Sequence, residues 1–170
     1  MKRTRLLFVA SFALACAATT ARAQETASAT VTATIVTPIS ITKDVDMNFG
    51  NVAVQSTTGG TVVLTPAGTR TTTGGVTLPT TAGTVTAASF TVNGTSGYTY
   101  VITLPTTPLT ITSGANTMTV TAFTSDPSGT GTLTGGTQVL NVGATLNVSA
   151  AQPAGQYVSG TPFNVTVNYN

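Results

Sequence analysis

Along most of this chain apolar and polar residues alternate one for one. Successive side chains of a strand point to opposite faces, so a period of two predicts half-buried β-strands. Residues 29–36, Ala29-Thr30-Val31-Thr32-Ala33-Thr34-Ile35-Val36, alternate until Pro38 interrupts them, and Ile39-Ser40-Ile41-Thr42 resumes the run. Met47 to Val54 carries Phe49-Gly50, where the glycine marks a bulge or a close backbone approach. Thr61 to Thr65 is a short run closed by Pro66, and the Gly- and Thr-rich stretch 67–83 has weak strand character around Gly75 to Leu78. Val85 to Asn93 and Tyr98 to Leu104 alternate on either side of Gly94-Thr95-Ser96-Gly97, which reads as a hairpin. Leu109 to Ile111 is short, and Thr117 to Thr124 places Met118, Val120 and Ala122 on one face. Residues 125–137 read as a loop, Gln138 to Ser149 as a long strand bent at Gly143, and 150–161 as a second loop. Pro162 opens a last strand in which Phe163, Val165, Val167 and Tyr169 alternate with polar residues.

No apolar stripe at helical spacing survives the glycines and prolines. About seven to nine short antiparallel strands with turns roughly every 8–12 residues predict an all-β sandwich. No fixed-period repeat points to a solenoid or propeller, and no linker divides the chain.

Composition changes this picture at the N-terminus. Lys2, Arg3 and Arg5 precede an apolar run from Leu6 to Ala18 that is too short to span a bilayer, and Ala21-Arg22-Ala23 is a small-residue cleavage site. Residues 1–23 therefore read as a signal peptide, with export to the periplasm, cell surface or medium and no integral membrane span after cleavage. The remaining single domain, 24–170, has about 147 residues, enough for one core. The whole chain carries a formal charge of +2, but four of its six cations lie in the signal peptide. From Gln24 onward Lys43 and Arg70 stand against Glu25, Asp44, Asp46 and Asp126, a net charge of −2. Two cations cannot neutralise a phosphate backbone, so nucleic acid is excluded as a partner. Cys16 lies within the apolar run, and the local Ala13-Leu14-Ala15-Cys16 lacks the leucine that a lipidation signal places three residues before its cysteine. Export without cysteine leaves stability to the core or to a partner.

Residues 24–170 contain no His, Cys or Trp. Without a histidine or thiol base, hydrolysis would need a serine beside Lys43, and nothing places one there. Asp44 and Asp46 sit too close on an extended chain to act as a paired acid and base. The chain therefore reads as non-enzymatic, with no catalytic, cofactor or metal residues assigned. Asp44-Val45-Asp46-Met47-Asn48 opens like a calcium loop, but Phe49 stands where that loop needs glycine and Gln55 where it needs a bidentate glutamate. Tyr98 and Tyr100 share a face, which favours core over a sugar platform. The 41 threonines suit a pleated, wet surface. Runs such as Thr30-Val31-Thr32-Ala33-Thr34 would need a flat, regular array to bind ice, and no repeat supplies one.

With these residues in view the chain resembles the bacterial DUF4402 family of secreted proteins. The likeness is carried by Pro38-Ile39-Ser40-Ile41, Met47-Asn48-Phe49-Gly50, Phe90-Thr91-Val92-Asn93-Gly94 and Tyr100-Val101-Ile102-Thr103-Leu104-Pro105. It continues in Val142-Gly143-Ala144-Thr145-Leu146, Gln152 to Tyr157 and Val165-Thr166-Val167-Asn168-Tyr169. More distantly the layout is similar to chaperone–usher pilins and spore-coat-U-like subunits. That resemblance implies an immunoglobulin-like sandwich whose groove is filled by a periplasmic chaperone and then by the N-terminal extension of the next subunit. It puts strand exchange on Val31, Ala33 and Ile35 within 24–37, and the chaperone-contacting strand on Phe163, Val165, Val167 and Tyr169. The implied partners are further copies or related subunits, a chaperone and an usher. Many pilins carry a disulfide near the first strand, and residues 24–170 have no cysteine. The expected role is a structural surface subunit; the alternative is a monomeric secreted binding module, for carbohydrate or another surface ligand, with a complete sandwich in which 29–36 is its own first strand.

Overall fold

The computed structural model describes residues 24–170; the signal-peptide reading and Cys16 fall outside the described residues. Contacts divide the chain between Thr34 and Ile35. Residues 24–34 carry no strand, and the body, Ile35–Asn170, is built of antiparallel strands.

Thirteen strands are present among the described residues, more than the alternation suggests, because four are only two or three residues long. They are β1 (Ser40–Val45), β2 (Ala53–Val54), β3 (Gly60–Leu64), β4 (Arg70–Gly74), β5 (Val76–Thr77), β6 (Ala88–Asn93) and β7 (Thr99–Thr103). The series continues with β8 (Leu109–Ser113), β9 (Asn116–Asp126), β10 (Thr130–Thr132), β11 (Thr137–Val148), β12 (Val158–Ser159) and β13 (Thr166–Tyr169). The one helical turn among the described residues is the three-residue Thr134–Gly136. The chain is thus an all-β sandwich, as its period of two predicts.

The 12-residue β11 organises the body. Its first half, through Val142, pairs with β6, and from Ala144 onward it pairs with β3 on the same edge. Along its other edge it pairs with β9. The handover from β6 to β3 falls at Gly143, where an added Cβ would lie 2.2 Å from the Leu64 carbonyl oxygen. Only a glycine admits that approach. Gly143 therefore neither ends nor divides the strand; it lets two neighbours meet against one long β11.

Two cores follow from this division. Leu140 and Val142 pack with Ala88, Phe90 and Val92 of β6 against Tyr100, Ile102 and Val167, which come from the second sheet, β10-β7-β13. Ala144, Leu146 and Val148 pack with Val62 and Val120 under a much smaller cover, the pair β2–β5 and the irregular segment before it. Met47 and Phe123 pack against both cores.

The structure corrects the expected hairpin. Strands β6 and β7 do not pair: β6 lies between β1 and β11, and β7 between β10 and β13. The Gly94–Tyr98 connection crosses between layers instead. The same alternation that suggests a hairpin gives both strands apolar faces, and these meet across the core rather than side by side. Tyr100 is fully buried there, while Tyr98 is half-exposed at the crossing, its ring 5.5 Å edge-on from that of Tyr169. A second correction concerns Ala122. The register between β9 and β11 slips at this point, and Ala122 takes a φ of +49°. This bulge turns Ala122 out to solvent and brings Phe123 inward to the junction of the two cores. Strand β4, within the Gly- and Thr-rich stretch, and β10, within the expected loop 125–137, carry no apolar alternation that would reveal them; β4 is held by its backbone ladder with β3 and by the Thr61 Oγ1 to Thr73 Oγ1 bond at 2.7 Å.

Candidate functional site

The expected exchange strand can be followed residue by residue. From Gln24 to Ile39 the chain forms no ladder with any strand. Val31 is 95% exposed and Ile35 96%, and Ala33 between them is exposed. An alternating apolar segment in this state has not buried the face that its sequence provides. β1, starting at Ser40, is the first strand of the body.

The body fixes the point where this arm departs. The Tyr169 hydroxyl donates to the Thr37 carbonyl at 2.8 Å and accepts from the Thr95 N–H at 2.7 Å. Thr37 N–H in turn donates to Thr95 Oγ1 at 3.1 Å. The tyrosine reaches this position across Gly94, where an added Cβ would come within 2.2 Å of its hydroxyl oxygen. The C-terminal residues expected to meet a chaperone are thus partly occupied within the chain. Val167 is buried and Tyr169 half-buried against β7, while Phe163 and Val165 are half-buried ahead of β13, which begins only at Thr166. Phe163 lies 5.0 Å from the Phe123 ring and 6.3 Å from Phe90.

A wide concavity lies over the second core. It is a cleft of about 940 Å³ between the segment Met47–Val54 and the segment Gln152–Ser159. Val120, Leu146 and Val148 form its buried base, with Ile111 and Met118 half-buried beside them. Apart from β2 and β12 both walls are irregular backbone, held by the backbone bridge between Asn48 and Thr86 and by side chains. The Arg70 guanidinium donates to the carbonyls of Phe49 and Asn51, and the Asn51 amide donates to Thr81 O at 3.0 Å. Across the cleft, Gln152 Nε2 donates to Thr117 O at 3.0 Å and to the Tyr157 hydroxyl at 2.9 Å. The bond from Ala151 N–H to Gln55 O at 3.0 Å joins the walls at one end. Gly50, with a φ of +66°, turns the first wall tightly enough that a Cβ would sit 2.4 Å from Ala82 O, the close approach that the Phe49-Gly50 pair suggests.

Among the described residues no charged side chain lines the cleft. The carboxylates lie elsewhere and do not converge: Asp46 pairs with Lys43 at 2.7 Å on an exposed surface, and Asp44 accepts from Thr91 Oγ1 at 2.7 Å. Among the described residues no group of three or more metal-ligating acidic, histidine or cysteine side chains forms. No helix among them is long and apolar enough to cross a membrane. Alternation marks each base residue as inward-facing, but nothing in the sequence brings β8, β9 and β11 together beneath residues 47–54. The cleft is therefore the feature that sequence reasoning missed.

Comparison with known proteins places this architecture. Residues 39–169 match the family described as Domain of unknown function (DUF4402). The chain belongs to the DUF4402 family. The match opens at Ile39, one residue before β1, and closes at Tyr169, the last residue of β13, so it covers the sandwich and leaves out the arm before Pro38. No curated protein and no solved structure matches.

Proposed function

We propose that this DUF4402 protein is a non-enzymatic, exported structural subunit of the pilin-like kind, assembled at the cell surface by β-strand donation from its N-terminal arm. The observation that carries this reading is the arm: an eight-residue alternating segment, 29–36, unpaired and almost fully exposed at Val31 and Ile35. Such a segment spans about 27 Å when extended and presents a full backbone ladder with apolar side chains on one face. Burying Val31 and Ile35 in a neighbour contributes about 1.5–3 kcal/mol each. A periplasmic chaperone and an usher are the partners this mode of assembly calls for, to shield the acceptor before the arm arrives.

Light scattering on the exported chain tests the reading. Residues 24–170 are expected to form polymers, or to remain bound to a chaperone. The double variant Val31→Asp/Ile35→Asp and a chain starting at Thr37 are expected to stay single. Because both changes lie ahead of the first strand of the body, which begins at Ser40, their thermal midpoints should match that of the unassembled parent, within about 0.5 kcal/mol in stability. A parent chain that is itself a stable monomer at all concentrations would sink the proposal.

One observation favours a second reading, a secreted binding module. Phe49 and Tyr157 line the cleft together with the amides of Asn48, Asn51, Gln152 and Gln156, the mixture that a sugar ring recognises. It predicts glycan binding by the monomer that Tyr157→Ala abolishes, read by calorimetry against oligosaccharides.

A further inference from the structure

We infer that the cleft over the second core is the acceptor for residues 29–36 of a second copy, and that the subunits therefore join end to end. The inference rests on the strand-donation reading above and adds the site, the occupant and the polarity of assembly.

Three features select this occupant. The first is chemistry: neither the cleft nor the segment Thr26–Thr37 carries a charge, so apolar contact and backbone hydrogen bonds are what each offers the other. The second is a free strand edge. Gln55 N–H donates to Gly75 O, and the register pairs Ala53 with Thr77 and Val54 with Val76. Antiparallel positions alternate between hydrogen-bonded and non-hydrogen-bonded pairs. Val54 therefore turns its N–H and C=O away from β5, along the edge that borders the cleft. An incoming strand can pair there and extend the short β2–β5 cover, much the thinner of the two layers over the cores. The third is the apolar floor: Val120, Leu146 and Val148 at the base give Val31, Ala33 and Ile35 of an arm paired at Val54 an apolar surface to face.

The polarity follows from β11. The arm leaves at Thr37, beside Thr95, and Asn93 of the adjoining β6 pairs with Thr137, the first residue of β11. The cleft base holds Leu146 and Val148, at the other end of that strand. About 30 Å separates the two ends, at roughly 3.3 Å per residue from Thr137 to Leu146. Exit and acceptor are thus different surfaces at opposite ends of β11. A contact between them is heterologous, and it repeats into an open filament wherever its rotation does not close a ring.

Disulfide trapping tests the site directly, since residues 24–170 have no cysteine of their own. The full exported chain carrying Ala33→Cys with Val54→Cys is oxidised and run under denaturing, non-reducing conditions. The control pairs Ala33→Cys with Val139→Cys, which lies 55% exposed on β11 outside the cleft. The expected result is a ladder of covalent multimers from the first chain, at least tenfold more abundant than from the control, and lost when Val31→Asp is added. Polymers that form without this ladder would leave strand donation standing and overturn the cleft as acceptor. A cross-link confined to single chains would show that the arm folds back on its own cleft, overturning the second copy as occupant. Absence of both polymers and cross-links would overturn the donation reading itself.

Discussion

Two residues in the body carry consequences that can be measured singly. Ala122 holds a left-handed backbone, which costs an ordinary residue about 1–2 kcal/mol relative to glycine. Its side chain is exposed and makes no compensating core contact. Ala122→Gly is therefore expected to stabilise the protein by about 1 kcal/mol in urea titration, and Ala122→Val, branched at Cβ, to destabilise it. Tyr100 is fully buried, its hydroxyl donating to Gln138 Oε1 at 2.9 Å, and that same oxygen accepts from Thr132 N–H at 2.8 Å. Burial raises the pKa of the phenol above its ordinary value. The folded state then keeps this proton at a pH where the unfolded chain releases it, so the contribution is complete below about pH 10 and is lost as pH rises beyond that. Tyr100→Phe should remove this part of the alkaline loss in a stability–pH profile. At neutral pH it should cost about 1 kcal/mol, since Gln138 keeps its bond to Thr132.

Among the elements, the two walls of the cleft depend on side chains more than on ladders. The wall before β2 is held by the Asn48–Thr86 bridge and by Arg70, which reaches from β4 to two carbonyls, and a hydrogen bond from a charged donor contributes about 1.5–3 kcal/mol. Arg70→Met keeps the aliphatic stem and removes both bonds. Its expected effect is local: amide exchange should accelerate across residues 48–55 while β6 and β11 keep their protection. Uniform acceleration through both cores would mean that this wall is not a separable element. Strand β11 shows the opposite case, an element fixed by backbone pairing on both edges, whose single glycine is set by the convergence of β3 and β6.

For the whole molecule, the scarcity of charge sets the character of assembly. From Gln24 onward six ionisable Lys, Arg, Asp and Glu side chains are present, and the one ion pair among the described residues, Lys43–Asp46, is exposed and contributes little. Neither residues 26–37 nor the described lining of the cleft carries a charged side chain. Polymer length measured by sedimentation should therefore change little between about 0.05 and 0.5 M salt, a range across which surface electrostatics is strongly screened. A marked loss of polymer over that range would point to a charged interface elsewhere on the body.

The sequence by itself determined the class of structure. Apart from the bulge at Ala122 in β9 and the handover at Gly143 in β11, alternation at period two survives in the long strands, so the all-β character, the positions of β1, β3, β6–β9 and β11, and most core residues are legible from local pattern alone. So are the unusual arm and the poverty of catalytic side chains. The pairing of those strands was decided by tertiary structure. Alternation states which face of a strand is apolar and is silent about which edge it joins. The Val85–Leu104 stretch therefore reads as a hairpin, and only the packing of Val92 and Phe90 against Tyr100 and Ile102 across the core separates its strands into two layers. The bulge that exchanges Ala122 for Phe123, the glycine that lets β3 follow β6 along β11, and the cleft walls held by Arg70 and Gln152 all arise from contacts distant in sequence. No local periodicity encodes such contacts.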